Sequence, residues 1–212
     1  RAADILEEMA PNAAADVLED LDEDVAERIL AHMEPDEAAD VQTLLAYDEY
    51  SAGRIMTTSL AQFPATHSVG DALAELRAME EAPDPLLAVY VISETDPRHG
   101  EAEEEVSDAE SSAEDLLETE SETAPPPPKE PFLLGVVRLR HLILALPTTP
   151  LSALMEDDVP SIHPDDPAEV AARLMGEYNL LTIPVLDTDG RLLGVVTVDD
   201  AMAAIMPDIW RH

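Results

Sequence analysis

The order of predicted elements repeats within this chain, and the repeat constrains the fold more than any other feature of the sequence. After residue 56 come a strand at Phe63, a helical pattern over Val69–Met79, the strand-like LLAVYVI and then GVVRLRHLILAL. The same order recurs after Met155 as SIHP, PAEVAARLMGEY, LTIPVLD and RLLGVVTVDDAMAAIM. Runs rich in Val and Ile predict strands, and apolar residues at helical spacing predict helices. Each copy therefore predicts the same unit of strand, helix, strand, strand and helix.

Aligning the two copies makes Val91 equivalent to Val185, and Gly135 equivalent to Gly194. The first copy then carries an insertion, residues 94–130, which is far longer than an ordinary hairpin loop of ~2–5 residues. Its sequence combines EAEEEVSDAESSAEDLLETESE with a run of four prolines. Such a composition buries too little apolar surface to offset the entropy of ordering, so we expect a disordered loop. A solvated spacer and a brush that concentrates cations are both open interpretations.

The first fifty residues contain a second, shorter repeat of about twelve residues. Its units are ADILEEMAPNAA, ADVLEDLDEDVA, ERILAHMEPDEA and ADVQTLLAYDEY, and each is typical of one short helix and a turn. Apolar residues such as Ile5, Leu6 and Met9 are expected on one buried helix face. Pro11 and Pro35 suit the first turn of the next helix, where a missing N–H costs little. We therefore expect a small all-α stack.

The charge of the chain limits its partners. The formal net charge is -36, from 47 Asp and Glu against 11 Lys and Arg. Nucleic acid is excluded, because binding a phosphate backbone requires clusters of Lys and Arg, and docking on an anionic membrane leaflet is disfavoured for the same reason. Binding of hard cations, adaptation to a saline cytoplasm and a disordered acidic segment all remain open as explanations. The scarcity of lysine favours a halophilic contribution.

Several kinds of site have no counterpart in the sequence. The chain has no cysteine, which excludes disulfides, zinc–thiolate sites and iron–sulfur clusters. No stretch approaches the ~18–20 apolar residues of a spanning helix, so we expect no direct membrane insertion of this segment. A Gly-rich phosphate loop, G-x-S-x-G and H-E-x-x-H are all missing, and the six histidines lack ligand spacing. We therefore expect that the protein is not an enzyme.

Two segments resemble MgtE-type magnesium channels. LLAYDEYSAGRIMTT is similar to the junction between the N-terminal helical domain and the CBS pair of that family, and RLLGVVTVDDAM to the end of its second CBS repeat. The resemblance covers nearly the whole chain apart from the insertion. It implies an α+β protein, in which a short all-α MgtE-type domain at 1–50 precedes a tandem CBS pair of β-α-β-β-α repeats. The first repeat is expected at 51–154, with the insertion 94–130, and the second at 155–212.

The resemblance also implies a function. In that family the cytoplasmic region, at the inner face of the cell membrane, senses Mg²⁺ and forms a homodimer through its CBS domains. Mg²⁺ bridges facing acidic surfaces and closes the pore. Two carboxylates ~4 Å apart repel by about 1 kcal/mol in water. A cation that bridges them turns this repulsion between the two surfaces into attraction. The membrane pore could lie in cis or in trans, since Pro207 is expected to end the last helix and the chain closes on PDIWRH.

The resemblance and the predicted elements together indicate six candidate ligands for regulatory Mg²⁺: Asp48 and Glu49 at the junction, Glu169 and Glu177 on the second-repeat helix, and Asp199 and Asp200 after the last strand. Asp200 matches a position that the family uses for magnesium. Any of the six could equally be a solvated carboxylate of a very acidic protein. Asn179 and Ala203 stand where the family is expected to carry Asp, which puts the sites facing a pore-side helix in doubt.

CBS repeats also bind adenine nucleotides such as ATP, through a Gly, a Ser or Thr three residues later and an Asp three residues after that. The second repeat retains this pattern as Gly194, Thr197 and Asp200, whereas the first has Arg138 and His141 at the last two positions. Arg138 could bind a phosphate. Thr197 and Asp200 could instead simply cap the last helix. The alternative function is a stand-alone adenine-nucleotide sensor that regulates another partner, and an architectural role also stays open.

Overall fold

The structure is a computed structural model that describes residues 2–79, 82–83, 85–97 and 130–206. The helices are α1 (Ala2–Glu7), α2 (Pro11–Glu19), α3 (Glu23–Leu30), α4 (Pro35–Leu45), α5 (Ala52–Ile55), α6 (Val69–Ala78), α7 (Leu139–Leu144), α8 (Ala168–Tyr178) and α9 (Val198–Ile205). The strands are β1 (Gln62–Pro64), β2 (Ala88–Ser93), β3 (Phe132–Arg138), β4 (Thr182–Leu186) and β5 (Leu192–Thr197). The predictions of a disordered insertion and of a stop at Pro207 lie outside the described residues, apart from 94–97 and 130.

The four twelve-residue units form the helices α1 to α4, as predicted. Pro11 and Pro35 occupy the first turns of α2 and α4. The prediction that Ile5 is buried is wrong, because 63% of this residue is exposed. Ala3 and Leu6 are the residues of α1 that face the core, and successive helical residues are ~100° apart, so Ile5 points away from that face.

The two copies of the longer repeat have the same strand register. In the first sheet β1 runs parallel to β2, and β2 runs antiparallel to β3, with Val91 opposite Gly135. In the second sheet β4 and β5 are antiparallel, with Val185 opposite Gly194. In both sheets the register shifts immediately after the valine. The predicted strand SIHP is reduced to a single bridge between Ile162 and Val185.

Each repeat is joined to the other by the segment that precedes it. The N–H of Thr57 donates to the carbonyl of Val195 in β5, at 2.8 Å. In the equivalent place, the N–H of Glu156 donates to the carbonyl of Val136 in β3, at 2.9 Å. The entering segment of either repeat therefore pairs with the last strand of the other, so the two repeats form one intertwined module.

The apolar core connects the N-terminal helices to this module. One cluster of buried side chains joins Leu18 and Leu44 of the helical stack to Met56, which enters the first repeat, and to Met175 and other residues of the second repeat. A second cluster fills the first repeat, and a third lies between the sheets. The predicted α+β arrangement of a helical stack and two repeats is thus confirmed, and the shared core positions α2 beside α9. Within the described residues, none of the helices combines the length and the apolar character needed to cross a bilayer.

Candidate functional site

A cavity of about 320 Å³ lies where α2, the junction and α9 meet, and we call it the acidic cavity. Five carboxylates line it: Asp16, Glu19, Asp20, Glu49 and Asp200. The three from α2 and its end are spaced i, i+3 and i+4, which places them on one face of the helix. The other face of α2 is buried in the shared core. The fold of the helical stack therefore turns this acidic face toward the second repeat.

Asp200 is the most constrained carboxylate of the acidic cavity. The hydroxyl of Thr197 donates to Oδ2 of Asp200 at 2.6 Å, and the N–H of Asp200 donates back to Thr197 Oγ1 at 3.2 Å. Burial raises the pKa of Asp200, and Asp199 adds to this, while hydrogen bonds from Thr197 and the Asn12 side chain oppose the shift. A carboxylate that has lost part of its hydration is stabilised by a nearby cation, which favours its ionised form.

A cation from the protein itself already reaches two of these acids. Arg54 of α5 is only 2% exposed, and its Nη2 lies 2.7 Å from Glu19 Oε2 and 3.1 Å from Asp16 Oδ1. Ser51 caps the N-terminus of α5, because its hydroxyl accepts the N–H of Arg54 at 3.3 Å. The SAGRI sequence of the junction thus holds a guanidinium against the N-terminal helices.

The structure brings together two of the six predicted magnesium ligands, Glu49 and Asp200. The other four are not among the residues lining the acidic cavity: Asp48, Asp199, Glu169 and Glu177. Asp48 instead accepts the N–H of Tyr50 within the junction turn, at 3.3 Å. The three acids contributed by α2 and its end were not predicted, although their spacing in ADVLEDLD indicates that they share one face of a helix.

No preformed metal cage exists among the described residues, since no three His, Cys, Asp or Glu side chains converge as a ligand group would. Carboxylate oxygens are nevertheless the donors that Mg²⁺ prefers, and this ion retains several waters while using only one or two carboxylates. The donor set of the acidic cavity therefore fits a hydrated divalent ion held between two surfaces. Ala203 also lines this cavity, where an Asp would have added a further oxygen ligand.

A second cavity, of about 330 Å³, lies between the two repeats. Arg138 and Arg140 line one part of it, and Leu180, Leu181 and Thr182 line another, so we call it the arginine cleft. Its volume falls within the range of small-molecule sites, ~300–1,000 Å³. Arg138 Nη2 also lies 2.8 Å from Glu156 Oε2, so the guanidinium has an acidic neighbour at the cleft.

The equivalent space on the other side of the module is nearly closed. Thr197 is paired with Thr182 as Arg138 is paired with Ala88, but the cavity beside Thr197 measures only about 20 Å³. Tyr90 helps to line it and donates its hydroxyl to Thr182 Oγ1 at 3.1 Å. The adenine base of a nucleotide could enter this space only if the space opened.

The predicted nucleotide residues therefore lie apart. Thr197 and Asp200 form the N-terminal cap of α9, which is the simpler of the two roles considered for them. Gly194 allows the junction to pass, because a Cβ there would lie 2.8 Å from Met56 Sδ. Only Arg138 lines the arginine cleft, where Arg140 and Asn179 accompany it. Asn179 also ends α8 with a left-handed backbone, φ 53°, a conformation that asparagine tolerates well.

Comparison with known proteins agrees with this arrangement of parts. The family model of the MgtE intracellular N domain matches residues 1–50, and the model of the CBS domain matches residues 151–207. The magnesium transporter MgtE of Enterococcus faecalis is 29% identical over 168 residues, which are 79% of this chain and 29% of that protein. The chain thus spans less than a third of the length of this relative.

Two solved structures extend the similarity to almost the whole chain. One is described as the soluble part of a magnesium transporter, and the other as the cytosolic domain of the Mg²⁺ channel MgtE in complex with ATP. Each is 28% identical with a TM-score of 0.75 and covers 96% of this chain, against 66% and 69% of its own length. The chain belongs to the MgtE family, and it corresponds to the cytosolic region in which an N domain is followed by a CBS pair.

Proposed function

We propose that this chain is the cytoplasmic Mg²⁺-sensing region of a magnesium transporter, that it acts at the inner face of the membrane, and that it regulates a pore in cis or in trans. The acidic cavity carries this proposal. It lies between the N domain and the second CBS repeat, and five carboxylates line it without forming a closed cage. Such a surface responds to a cation by changing the contact between two parts of the protein.

The physical basis is the balance between repulsion and bridging. Without a divalent ion, the carboxylates of α2 and Asp200 of α9 repel one another across a partly desolvated cavity. Mg²⁺ between them offsets this repulsion and stabilises the contact between α2 and α9. Coupling of two sites in a protein is typically worth roughly 1–3 kcal/mol, whereas a complete two-state shift requires about 5.5 kcal/mol. Several weakly bound ions per dimer are therefore expected to act together.

Calorimetric titration with MgCl₂ at fixed, high ionic strength tests the proposal. We expect weak, saturable Mg²⁺ binding that the double variant Glu49→Gln/Asp200→Asn diminishes. The double variant Glu169→Gln/Glu177→Gln removes the same charge from exposed positions of α8 and should bind like the unmodified chain. If Mg²⁺ produces no heat beyond that of matched NaCl, or if both double variants lose binding equally, the acidic cavity is not the sensor.

We also propose that the chain forms a homodimer through its CBS repeats. The support is an apolar patch at α7 and the residue two positions beyond its end, where Ile143, Leu144 and Leu146 are mostly exposed, Leu144 to 83%. Analytical ultracentrifugation should find a dimer that Leu144→Glu dissociates. Ile5→Glu, at an exposed apolar residue of α1, serves as the control and should leave the dimer intact. A monomeric unmodified chain would contradict this assembly.

A second candidate function is adenine-nucleotide binding, which the arginine cleft favours. The cleft is large enough for a small ligand and holds two guanidinium groups, which suit phosphate oxygens. One of the similar solved structures is described as a complex with ATP. Titration with ATP should give saturable binding that Arg138→Gln/Arg140→Gln abolishes and that Arg77→Gln, on α6, leaves unchanged. Equal affinities for the two variants would exclude the arginine cleft.

A further inference from the structure

Arg54 is the one basic side chain in the described residues that is almost completely enclosed. It belongs to the junction, yet its two carboxylate partners, Asp16 and Glu19, belong to α2 of the N domain. Its Nη1 is buried without a hydrogen-bond partner among the described residues. A guanidinium in such surroundings is stabilised chiefly by the charges that it faces, so the ion pairs add a specific polar contact to the apolar core that positions α2.

The cation and the two carboxylates of these ion pairs differ in their exposure to solvent. Arg54 is 2% exposed, whereas the side chains of Asp16 and Glu19 are 75% and 48% exposed. Arg54 belongs to α5, which contacts α8, α9 and β5, so the cation stays with the CBS module, whereas Asp16 and Glu19 reach it only when α2 is docked. In the docked arrangement both carboxylates offset the desolvation of the guanidinium, so the ion pairs favour docking.

Asn12 adds a second polar contact at the same interface. Its Nδ2 donates to the carbonyl of Ile55 at 3.3 Å, and its side chain also helps to lower the pKa of Asp200. The residue is 9% exposed, so this contact is shielded from water. Asn12 near the start of α2 and the two acids near its end therefore all contact α5.

We propose that Arg54 is a built-in cation that docks the N domain onto the CBS pair in the absence of any metal. It occupies two of the five carboxylates of the acidic cavity and leaves Asp20, Glu49 and Asp200 for an added ion. Arg54 then sets the Mg²⁺ concentration at which docking is complete. This last step rests on the proposed function, whereas docking without metal does not.

The absence of cysteine allows a direct distance measurement. Spin labels at Gln42→Cys on α4 and Gly176→Cys on α8 report the separation of the N domain from the second repeat, and a Cβ at Gly176 meets no atom within 4 Å. Double electron–electron resonance is recorded without metal and in rising Mg²⁺ at fixed ionic strength. The series comprises the labelled chain, Arg54→Gln, Arg54→Lys, and Arg28→Gln, which changes an exposed arginine of α3 as the matched control.

We expect a mainly short metal-free distance with a minor longer population in the labelled chain and in Arg28→Gln, a broad and mainly longer distribution in Arg54→Gln, and partial recovery in Arg54→Lys. Rising Mg²⁺ should remove the longer population in all of them, with a midpoint about tenfold higher in Arg54→Gln than in the control. Rescue by an added cation would not follow from a merely structural role. If Arg54→Gln does not fold, Asp16→Asn/Glu19→Gln, at exposed side chains, must show the same metal-free opening.

An identical metal-free distribution in Arg54→Gln and Arg28→Gln would overturn the inference. So would a labelled chain that is already open without metal. A chain that is docked through Arg54 but never responds to Mg²⁺ would confirm metal-free docking and contradict the sensing function, so the two failures are distinguishable.

Discussion

Gly194 and Met56 lie in direct contact across the two repeats, and a Cβ on Gly194 would stand 2.8 Å from the Sδ of Met56. The first repeat has the same arrangement, because a Cβ on Gly135 would stand 2.7 Å from the carbonyl oxygen of Glu156. Glycine therefore recurs at this position because the entering segment of one repeat crosses the last strand of the other. Glycine is required here because a side chain would not fit, and not because of the backbone conformation, since neither glycine has a positive φ.

The first prediction concerns these two glycines. Gly194→Ala and Gly135→Ala should each lower the free energy of unfolding by about 1–3 kcal/mol, because an added methyl group overfills a packed contact. The two losses should be similar, since each added Cβ also meets a backbone oxygen that cannot rotate away, that of Glu156 at 2.7 Å for Gly135 and that of Thr57 at 2.8 Å for Gly194. Urea unfolding followed by circular dichroism measures both changes.

Gly176→Ala is the matched control for this pair. It lies within α8 with no atom within 4 Å of the added Cβ, so it should be neutral or stabilise by up to ~1 kcal/mol. Destabilisation of all three variants to the same extent would show that crossing of the repeats is not what requires glycine.

The second prediction concerns the pH dependence of stability through Asp200. Burial raises the pKa of this group in the folded protein, so the folded chain binds the proton more tightly than the unfolded chain. The associated stability is complete below the unfolded pKa and is lost as the pH rises through the folded pKa. Asp200→Asn should therefore be more stable than the unmodified chain at neutral pH without metal, and this difference should shrink as the pH falls toward 4.

Chemical unfolding of both proteins across pH 4 to 7 checks that sign. Asp199→Asn, at the exposed neighbouring position, controls for the loss of one charge. A destabilising effect of Asp200→Asn at neutral pH, or an equal gain from Asp199→Asn, would contradict the assigned desolvation.

The third prediction concerns Tyr90, the phenol between the two sheets. Burial raises its pKa to about 12, so it should ionise in a last step well above the pH at which an ordinary tyrosine ionises. The stability that depends on the neutral phenol is present below pH 10 and is lost between about pH 10 and 12. Ultraviolet titration of the folded chain and of Tyr90→Phe should differ only in this last step. A difference at pH 10 would mean that Tyr90 is exposed.

Tyr90→Phe should also cost about 0.5–1.5 kcal/mol at neutral pH, the net value of its hydrogen bond to Thr182. We do not expect Tyr90→Phe to enlarge the cavity beside Thr197, because the aromatic ring of residue 90 remains in place. If Tyr90→Phe alone created nucleotide binding at Thr197, the closed state of that space would need another explanation.

Elements and register could be predicted because they depend on local patterns. The continuous apolar run LLAVYVI indicates β2, and Pro11 indicates the start of α2. Alignment of the two copies then predicted the equivalence of Gly135 and Gly194, which the two sheets confirm through the same register. Ile5 was misplaced because a six-residue helix gives too short a pattern to define its buried face.

The candidate site could be predicted only in part, because it depends on how α2 docks on α9. Glu49 and Asp200 were found from the junction and the last strand, but Asp16 and Glu19 belong to another domain in sequence and meet them only through the shared core. Nor does the sequence reveal that Tyr90 narrows the space beside Thr197, since that requires the packing of both sheets.

The measurement that tests the sensing function most directly is hydrogen exchange of the chain with and without Mg²⁺ at constant ionic strength. We expect Mg²⁺ to slow exchange in Pro11–Glu19 and Val198–Ile205, NaCl at equal ionic strength not to do so, and Glu49→Gln/Asp200→Asn to lose the effect. Protection that is absent, that NaCl reproduces, or that survives in this double variant would contradict the sensing function.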